Sequence, residues 1–140
     1  NTNDGPGNFH LKPNGVFWIK GDQAGVTESS AYLQSDADPD YATQSGPMLV
    51  IGGALHPAFN EDGVSQKRRN GVGVAPDGET VFFAISDTAV TFHAFASLFR
   101  DQLGAENALF LDGQVSRLYA PGIGRNETGL DMGPIIGVVE

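Results

Sequence analysis

Residues 108–116 read Ala-Leu-Phe-Leu-Asp-Gly-Gln-Val-Ser, and this stretch says most about the fold. Four apolar residues run into Asp112-Gly113, a pattern typical of a buried strand that stops at a tight turn. Such a strand end holds a polar side chain rigidly at the rim of the core, and Gly113 lets a backbone or a ligand come close. Asp112 is therefore a candidate functional residue, whereas the alternative is that Asp112-Gly113 is only a hairpin turn.

Three further motifs precede this stretch. They are Gln-Ser-Gly-Pro-Met-Leu-Val at 44–50, Arg-Arg-Asn-Gly-Val-Gly-Val at 68–74 and Val-Phe-Phe-Ala-Ile-Ser at 81–86. In this order, the four motifs resemble the phosphodiester glycosidase family, in which a Gly-Pro-apolar strand, an Arg-(Thr/Asn)-small-apolar-Gly segment and Leu-Asp-Gly-Gly-x-Ser are expected. The resemblance runs from about Gly7 to Tyr119 and is to the bacterial branch, often linked to exopolysaccharide. Gln114 stands where the family usually has a second glycine, so the local turn is expected to differ.

The resemblance implies a hydrolase that cleaves a glycosyl phosphodiester or a related polysaccharide linkage, with no cofactor. Arg69 matches the arginine of the family, and the planar fork of arginine suits phosphate oxygens. Asp112 is the candidate to stabilise an oxocarbenium-like transition state or to activate water. The leaving phosphate is weakly basic, so Asp112 and Arg69 are expected to suffice as catalytic residues. The candidate substrate-binding residues are Asn70, Ser86, Ser116, Gly46 and Gly113; for Ser86 a strand-end cap is the alternative role.

Two other functions remain open. The chain could be a non-catalytic carbohydrate-binding or extracellular assembly module derived from the family, or a structural extracellular protein. The family normally carries a strand and an Asn-Gly-Gly-like motif ahead of this region, so residues 1–140 are interpreted as one domain lacking its N-terminal segment. A partner chain or that segment is then expected to cover strand 15–20 or the strand beside it, unless that edge is open. The resemblance also implies an extracytoplasmic or secreted location.

Composition and charge limit the classes of partner that the chain is expected to bind. The formal net charge of −9 argues against nucleic acid and against anionic membrane surfaces, because both are bound by clustered Lys and Arg. Lys67-Arg68-Arg69 is the one basic cluster of the sequence, and it indicates either a solvated loop or an anion site. Cysteine is absent and the three histidines are scattered, so no metal site is predicted. No apolar stretch is long enough to span a membrane.

The pattern of turns and apolar residues predicts an α+β fold. The 19 glycines and 8 prolines favour strands over a helix bundle. Strands are predicted at 15–20, 47–51, 71–75, 80–85, 107–111, 114–120 and 134–139; the third and fourth form a hairpin, and the fifth and sixth form a pair. Thr27 is expected to cap a short helix over 28–34, and Thr91 a long helix over 91–103 that ends at Gly104. Both helices are expected to pack on one mixed, largely antiparallel sheet, with the aromatic stripe of the long helix in the core.

Overall fold

The computed structural model describes residues 11–113, 116–129, 131, 133 and 135–139, and within them the chain forms ten strands. The strands are β1 Gly15–Lys20, β2 Gln23–Glu28, β3 Tyr41–Ser45, β4 Met48–Ile51, β5 Ala54–Leu55, β6 Asn70–Val74, β7 Val81–Ile85, β8 Asn107–Asp112, β9 Tyr119–Ala120 and β10 Arg125–Asn126. The helices are α1 Ser29–Gln34 and α2 Phe92–Ser97, which continues as a π-helical turn over Leu98–Gln102; a 3-10 turn over Pro121–Ile123 joins β9 to β10.

These strands form three antiparallel sheets. The largest has the order β5-β4-β8-β6-β7, the second has the order β2-β1-β3, and the third is the pair β10-β9. Strands β6 and β7 pair along their whole length, which confirms the predicted hairpin. Asp77 stabilises its turn, because one carboxylate oxygen accepts hydrogen bonds from the backbone N–H groups of Glu79 and Thr80, both at 2.9 Å.

The five-stranded sheet is covered on both faces. The three-stranded sheet packs on one face, where the buried cluster consists of Phe17, Ala24, Val26, Met48, Val72, Val74 and Leu109. The helical segment packs on the other face, where the cluster consists of Leu49, Val50, Phe95, Ala96, Phe99, Ala105, Ala108 and Phe110. Neighbouring residues of β8 therefore belong to different layers, because side chains of a strand alternate between its faces. The predicted aromatic stripe does lie in the core, at Phe95 and Phe99.

The predicted fold class is wrong. The described residues are mostly sheet, divided among three sheets, and one helical segment, 92–102, is longer than six residues. The sheets separate because β1 and β2 carry an apolar face of their own, at Phe17 and Val26, and two such faces are buried best when sheets stack. The helical segment is α-helical only to Ser97; its last turns widen, and the N–H of Leu103 bonds to the carbonyl of Leu98. Thr91 caps it as predicted, with its hydroxyl 3.1 Å from the N–H of Ala94.

The predicted role of Thr27 is also wrong. Thr27 lies inside β2, opposite Val16, and Glu28 caps α1 instead. The Glu28 carboxylate accepts from the N–H groups of Ser30 and Ala31, both at 3.1 Å. The cause is that β1 provides a ladder partner for every residue up to Glu28, so the strand continues past the expected cap.

Two other predicted strands differ from the structure. Residues 114 and 115 lie outside the described residues, and β9 pairs with β10 rather than with β8. Gly124, at φ 70°, closes this local hairpin, so the segment pairs with its own continuation. Pro134 also lies outside the described residues, and 135–139 form no strand. In the three-stranded sheet β1 is central, so the edges are the strands beside it, β2 and β3.

Candidate active site

Asn70 is the first residue of β6, and its side chain binds the last residue of β8. The two strands place Asn70 opposite Asp112, and the Asn70 Oδ1 accepts a hydrogen bond from the Asp112 N–H at 3.1 Å. On its other side, Asn70 Nδ2 donates to Ser116 Oγ at 2.8 Å. Ser116 is 7% exposed, and its hydroxyl lies 3.4 Å from the Asp112 carbonyl. The Asn70 side-chain amide therefore fixes the position of the Asp112 backbone relative to the Ser116 hydroxyl.

The Asp112 carboxylate lies at the end of β8 and is partly exposed. Its Oδ1 accepts from the N–H of Gly113 at 2.5 Å. A side chain at Gly113 would place its Cβ 2.8 Å from the ring of Phe110, so the close approach of the turn to the core requires glycine here. The prediction that β8 delivers Asp112 to the rim of the core is confirmed.

Ser45 and Gly46 lie against the same end of β8. Ser45 Oγ donates to the carbonyl of Leu111 at 3.2 Å, a contact that joins the three-stranded sheet to the residue before Asp112. A Cβ at Gly46 would collide with the side-chain amide of Asn14, which is why this position carries no side chain. Ser45 was not predicted as a site residue; its signal in the sequence is a hydroxyl directly before the Gly-Pro of the motif at 44–50.

Ser86 follows the last residue of β7, and its hydrogen bonds close the open end of the β6–β7 hairpin. Its Oγ accepts from the Arg69 N–H and its own N–H donates to the Arg69 carbonyl, both at 2.8 Å. These contacts correspond to the strand-end cap that the sequence left open as the alternative role. Through them Ser86 is tied to the residue that precedes Asn70.

The Arg69 side chain points away from Asn70, to the helix face of the central sheet. It is 1% exposed, and its guanidinium carbon lies 3.6 Å from the ring centroid of Phe92. Nε donates to the carbonyl of Val90 at 2.9 Å and Nη2 to that of Ser65 at 3.0 Å. Burial lowers the pKa of Arg69, and within the described part of the chain no carboxylate forms an ion pair with it. Carbonyl oxygens and aromatic rings are thus what stabilise this buried cation.

The ring of Phe92 belongs to a longer stack that sequence reasoning missed. Phe59 lies parallel to Phe92 with centroids 4.8 Å apart, and the buried His56 stacks on Phe59 at 4.6 Å. His56 Nδ1 accepts from the Ala58 N–H at 3.1 Å, so Nε2 is the nitrogen that donates to the Lys12 carbonyl, at 2.7 Å. The stack connects the 56–65 loop to Arg69, and no spacing in the sequence indicates it.

A charged cluster lies beside Ser86. Glu127 Oε1 pairs with Nη2 of Arg68 at 2.9 Å and with Nη2 of Arg125 at 2.5 Å, while Arg125 Nη1 also pairs with Asp87 at 2.7 Å. The two arginines lower the pKa of Glu127 to about 2, with the hydrogen bond from Arg125 as the larger cause. Arg68 Nε donates to the Ser86 carbonyl at 3.1 Å, which places this cluster next to the end of β7. The pairs span up to 59 residues of sequence, so local patterns could not reveal them.

The backbone segments that carry the predicted residues therefore lie close together, but the side chains point to different faces of the sheet. Because Arg69 adjoins Asn70 and Asn70 pairs with Asp112, the Cα atoms of Arg69 and Asp112 are within about 10 Å of each other. The side chains of Asn70 and Ser116 bond to each other and to the backbone of Asp112, whereas the guanidinium of Arg69 lies on the opposite face. Among the described residues, no group of three His, Cys, Asp or Glu side chains could hold a metal ion. No helix in the described ranges is long and apolar enough to cross a membrane.

The chain belongs to a known class of protein. The model of the phosphodiester glycosidase family matches residues 1–132, so the chain is a member of the phosphodiester glycosidase family. The resemblance drawn from the four motifs is thereby confirmed.

Two known proteins are similar to the chain. It is 38% identical over 122 residues to the uncharacterized protein YigE of Escherichia coli (strain K12), covering 87% of this chain and 47% of that protein. It also resembles the solved catalytic domain of zebrafish N-acetylglucosamine-1-phosphodiester alpha-N-acetylglucosaminidase, auto-inhibited by its pro-peptide, with a TM-score of 0.53 and 19% identity. That match covers 73% of this chain and 40% of the zebrafish chain and shows a shared fold. The chain therefore spans less than half the length of either relative.

Proposed function

We propose that the chain contributes the active site of a hydrolase that cleaves the bond between a sugar and a phosphodiester. The observation that carries this proposal is the hydrogen-bonded arrangement of Asn70, Asp112 and Ser116. It supplies a partly exposed carboxylate on a rigid strand end, which is what a group acting at an anomeric carbon needs. Family membership supports the reaction class, whereas the identity of the sugar is part of the proposal.

In the proposed reaction Asp112 faces the anomeric carbon. As the bond to the phosphate breaks, positive charge develops on the sugar ring, and the carboxylate stabilises it or removes a proton from the attacking water. The phosphate leaves as a weak base, so it needs charge stabilisation more than protonation. Asn70 and Ser116 position Asp112, and the buried Gly46 and Gly113 let the chain pack closely against Asn14 and Phe110 beneath the site.

The phosphate requires a cation, and two neighbouring arginines compete for this role. Arg69 is the residue predicted from the resemblance, and it reaches a substrate only if its guanidinium leaves the carbonyls of Val90 and Ser65. Arg68 is 38% exposed and lies beside Ser86. In this proposal Arg68 exchanges its pair with Glu127 for the phosphate, and Arg69 positions the strand that carries Asn70.

Measurements of inorganic phosphate binding distinguish the roles of Arg68 and Arg69. Lysine cannot reproduce the fork of arginine, so a variant of the phosphate-binding residue loses affinity while its fold stays intact. We expect Arg68→Lys to weaken phosphate binding severalfold by isothermal titration, and Arg69→Lys to lower the melting temperature with a smaller change in phosphate affinity. A large loss of phosphate affinity in Arg69→Lys alone would show that Arg69, and not Arg68, binds the phosphate.

The catalytic role of Asp112 is tested by substitution. We expect Asp112→Asn to lower the release of sugar from a synthetic N-acetylglucosamine-1-phosphodiester by roughly 100-fold or more, because the amide neither stabilises positive charge nor accepts a proton. Asp62→Asn, at an exposed loop position, is the matched control and should retain full activity. Equal rates for Asp112→Asn and the parent chain would remove Asp112 from the mechanism. Saturable sugar binding without hydrolysis in both would favour a carbohydrate-binding module instead.

We also propose that further chain completes the site. The chain covers 47% of the E. coli relative, and β2 and β3 are the edges of the three-stranded sheet, where another strand could pair. A chimera that adds the remaining region of the E. coli protein should hydrolyse the phosphodiester faster than the 140 residues alone. Equal rates would show that the whole site lies within these residues. An extracytoplasmic location stays a prediction, testable by cell fractionation.

A further inference from the structure

Trp18 lies on the outer face of the three-stranded sheet. Its neighbours Phe17 and Ile19 face the core, so Trp18, between them on β1, faces away from it. Gly25 is its partner on β2, and the indole occupies the space that a side chain at Gly25 would fill. Nε1 donates to Thr27 Oγ1 at 2.9 Å, which sets the orientation of the ring. The ring is partly exposed and held in place before any ligand arrives.

A groove of about 220 Å³ opens beside this ring. It runs between the edge of β2 and the far ends of β6 and β8, and Val74, Pro76, Glu106 and Asn107 form its opposite wall. Asn107 is the first residue of β8 and Asp112 the last, so the groove lies roughly 17 Å along β8 from the candidate active site. The two sites are at opposite ends of the same strands.

The walls of the groove are suited to a sugar ring. An indole offers a flat apolar surface, and the exposed Glu106 carboxylate and the Asn107 amide offer an acceptor and a donor for hydroxyl groups. Glu106 is the charged residue among the described residues that line the groove, and Asp77 is exposed in the adjoining turn. Acidic walls disfavour a phosphate group, and a neutral sugar unit is therefore the better match.

We propose that this groove is a second carbohydrate site that binds a neutral sugar unit, remote from the phosphate, of a substrate with several sugar units. The inference rests on the proposed function and adds to it that the substrate carries more than one sugar unit. Binding at Trp18 then adds affinity for long substrates without taking part in the bond cleavage at Asp112. A substrate too short to reach the groove gains nothing from it.

Tryptophan fluorescence reports on ligand binding in this groove, because Trp18 is the single tryptophan of the chain. The probes are maltohexaose, cellohexaose and hexa-N-acetylchitohexaose, each neutral and titrated against the 140-residue chain. We expect at least one probe to shift or quench the emission in a saturable way. Asp112→Asn should give the same curve, since Asp112 lies at the other end of β8. This keeps the test separate from the test of hydrolysis.

Two variants that retain Trp18 make the assignment specific. Glu106→Ala removes the rim acceptor and should weaken binding several-fold. Gly25→Ser puts a side chain where the indole lies and should weaken binding further; thermal melting checks that it still folds. Glu61→Ala, exposed in a distant loop, is the control and should bind as the parent does.

Three outcomes would overturn the proposal. One is the lack of a saturable change with all three probes. Another is binding that Glu106→Ala and Gly25→Ser leave unchanged. The third is emission that varies with protein concentration and not with sugar, which would identify a second copy of the chain as the occupant.

Discussion

Asn70 is the residue on which the geometry of the candidate site depends most. Its side chain accepts from the Asp112 N–H and donates to Ser116 Oγ, so a single amide satisfies groups that are 42 and 46 residues away in sequence. The neighbouring Arg69 points to the opposite face and packs on Phe92. The alternation of side chains along one strand thus separates a polar site from a buried cation.

Removing the Asn70 side chain should weaken both the fold and the site. We expect Asn70→Ala to lower the free energy of unfolding by about 1–3 kcal/mol, because it leaves the Asp112 N–H and the Ser116 hydroxyl without this partner in a half-buried place. Urea denaturation measures the change. Asn60→Ala, at an exposed loop position, is the control and should shift the midpoint little. A loss no larger than that of the control would show that these hydrogen bonds contribute little.

Glu127 should make stability depend on pH below neutrality. Its pKa is about 2 in the folded chain against 4.5 ordinarily, because Arg125 and Arg68 hold it ionised. A carboxyl with a depressed folded pKa stabilises the fold above its ordinary pKa, and this contribution is lost as the pH falls from about 4.5 towards about 2.

Thermal melting between pH 2 and pH 7 tests this effect. Glu127→Gln should lower the melting temperature at pH 7 and flatten its decline below pH 4.5. The exposed Glu61→Gln serves as the comparison and should follow the parent curve. Parallel curves for Glu127→Gln and the parent would mean that the pairs with Arg68 and Arg125 do not stabilise the fold.

At the scale of elements, β6 depends on its alternation of glycine and valine. Val72 and Val74 face the three-stranded sheet, while Gly71 and Gly73 face the helical segment. A Cβ at Gly73 would lie 2.6 Å from the ring of Phe99. Glycine is required there because the aromatic ring packs directly on the backbone of the strand.

Gly73→Ala should therefore destabilise the chain by overpacking. We expect a loss of about 1–3 kcal/mol, since the methyl group would also come 2.9 Å from the Ala105 Cβ and both neighbours are buried. Gly122→Ala is the matched control, because a Cβ there meets nothing within 4 Å. Guanidinium denaturation of the two variants compares them, and equal midpoints would contradict the packing argument.

At the scale of the molecule, stability is concentrated in the central sheet. Strand β8 is flanked by β4 and β6 and covered on both faces, and Leu109 and Phe110 are almost completely buried. In contrast, Ile135, Val138 and Val139 are each more than 80% exposed. Opening of the chain should thus cost most free energy at β8 and least at the C-terminal residues.

Amide hydrogen exchange tests this distribution. We expect the slowest exchange at β6 and β8, and the fastest within 135–139, whose described residues form no strand. The β9–β10 hairpin should be intermediate, because Glu127 ties it to Arg68. Protection of 135–139 equal to that of β8 would show that another surface covers this segment in solution.

Features that depend on neighbouring residues could be predicted from the sequence. The apolar run ending in Asp112-Gly113 indicated a strand end, the strands at 71–75 and 80–85 indicated the β6–β7 hairpin, and Thr91 indicated a helix start. Each rests on local backbone geometry, which a few residues are enough to specify. The four motifs in order also indicated the family, which the family model matches over 1–132.

Features that depend on distant partners could not be predicted in this way, because they follow from how the layers of the fold pack. The burial of Arg69 against Phe92, the pairing of Glu127 with Arg68, and the division into stacked sheets all join segments far apart in the chain. A basic residue in Lys67-Arg68-Arg69 has the same local pattern whether it faces solvent or the core. Its environment is set by which layers pack above it, and that packing is a property of the whole fold.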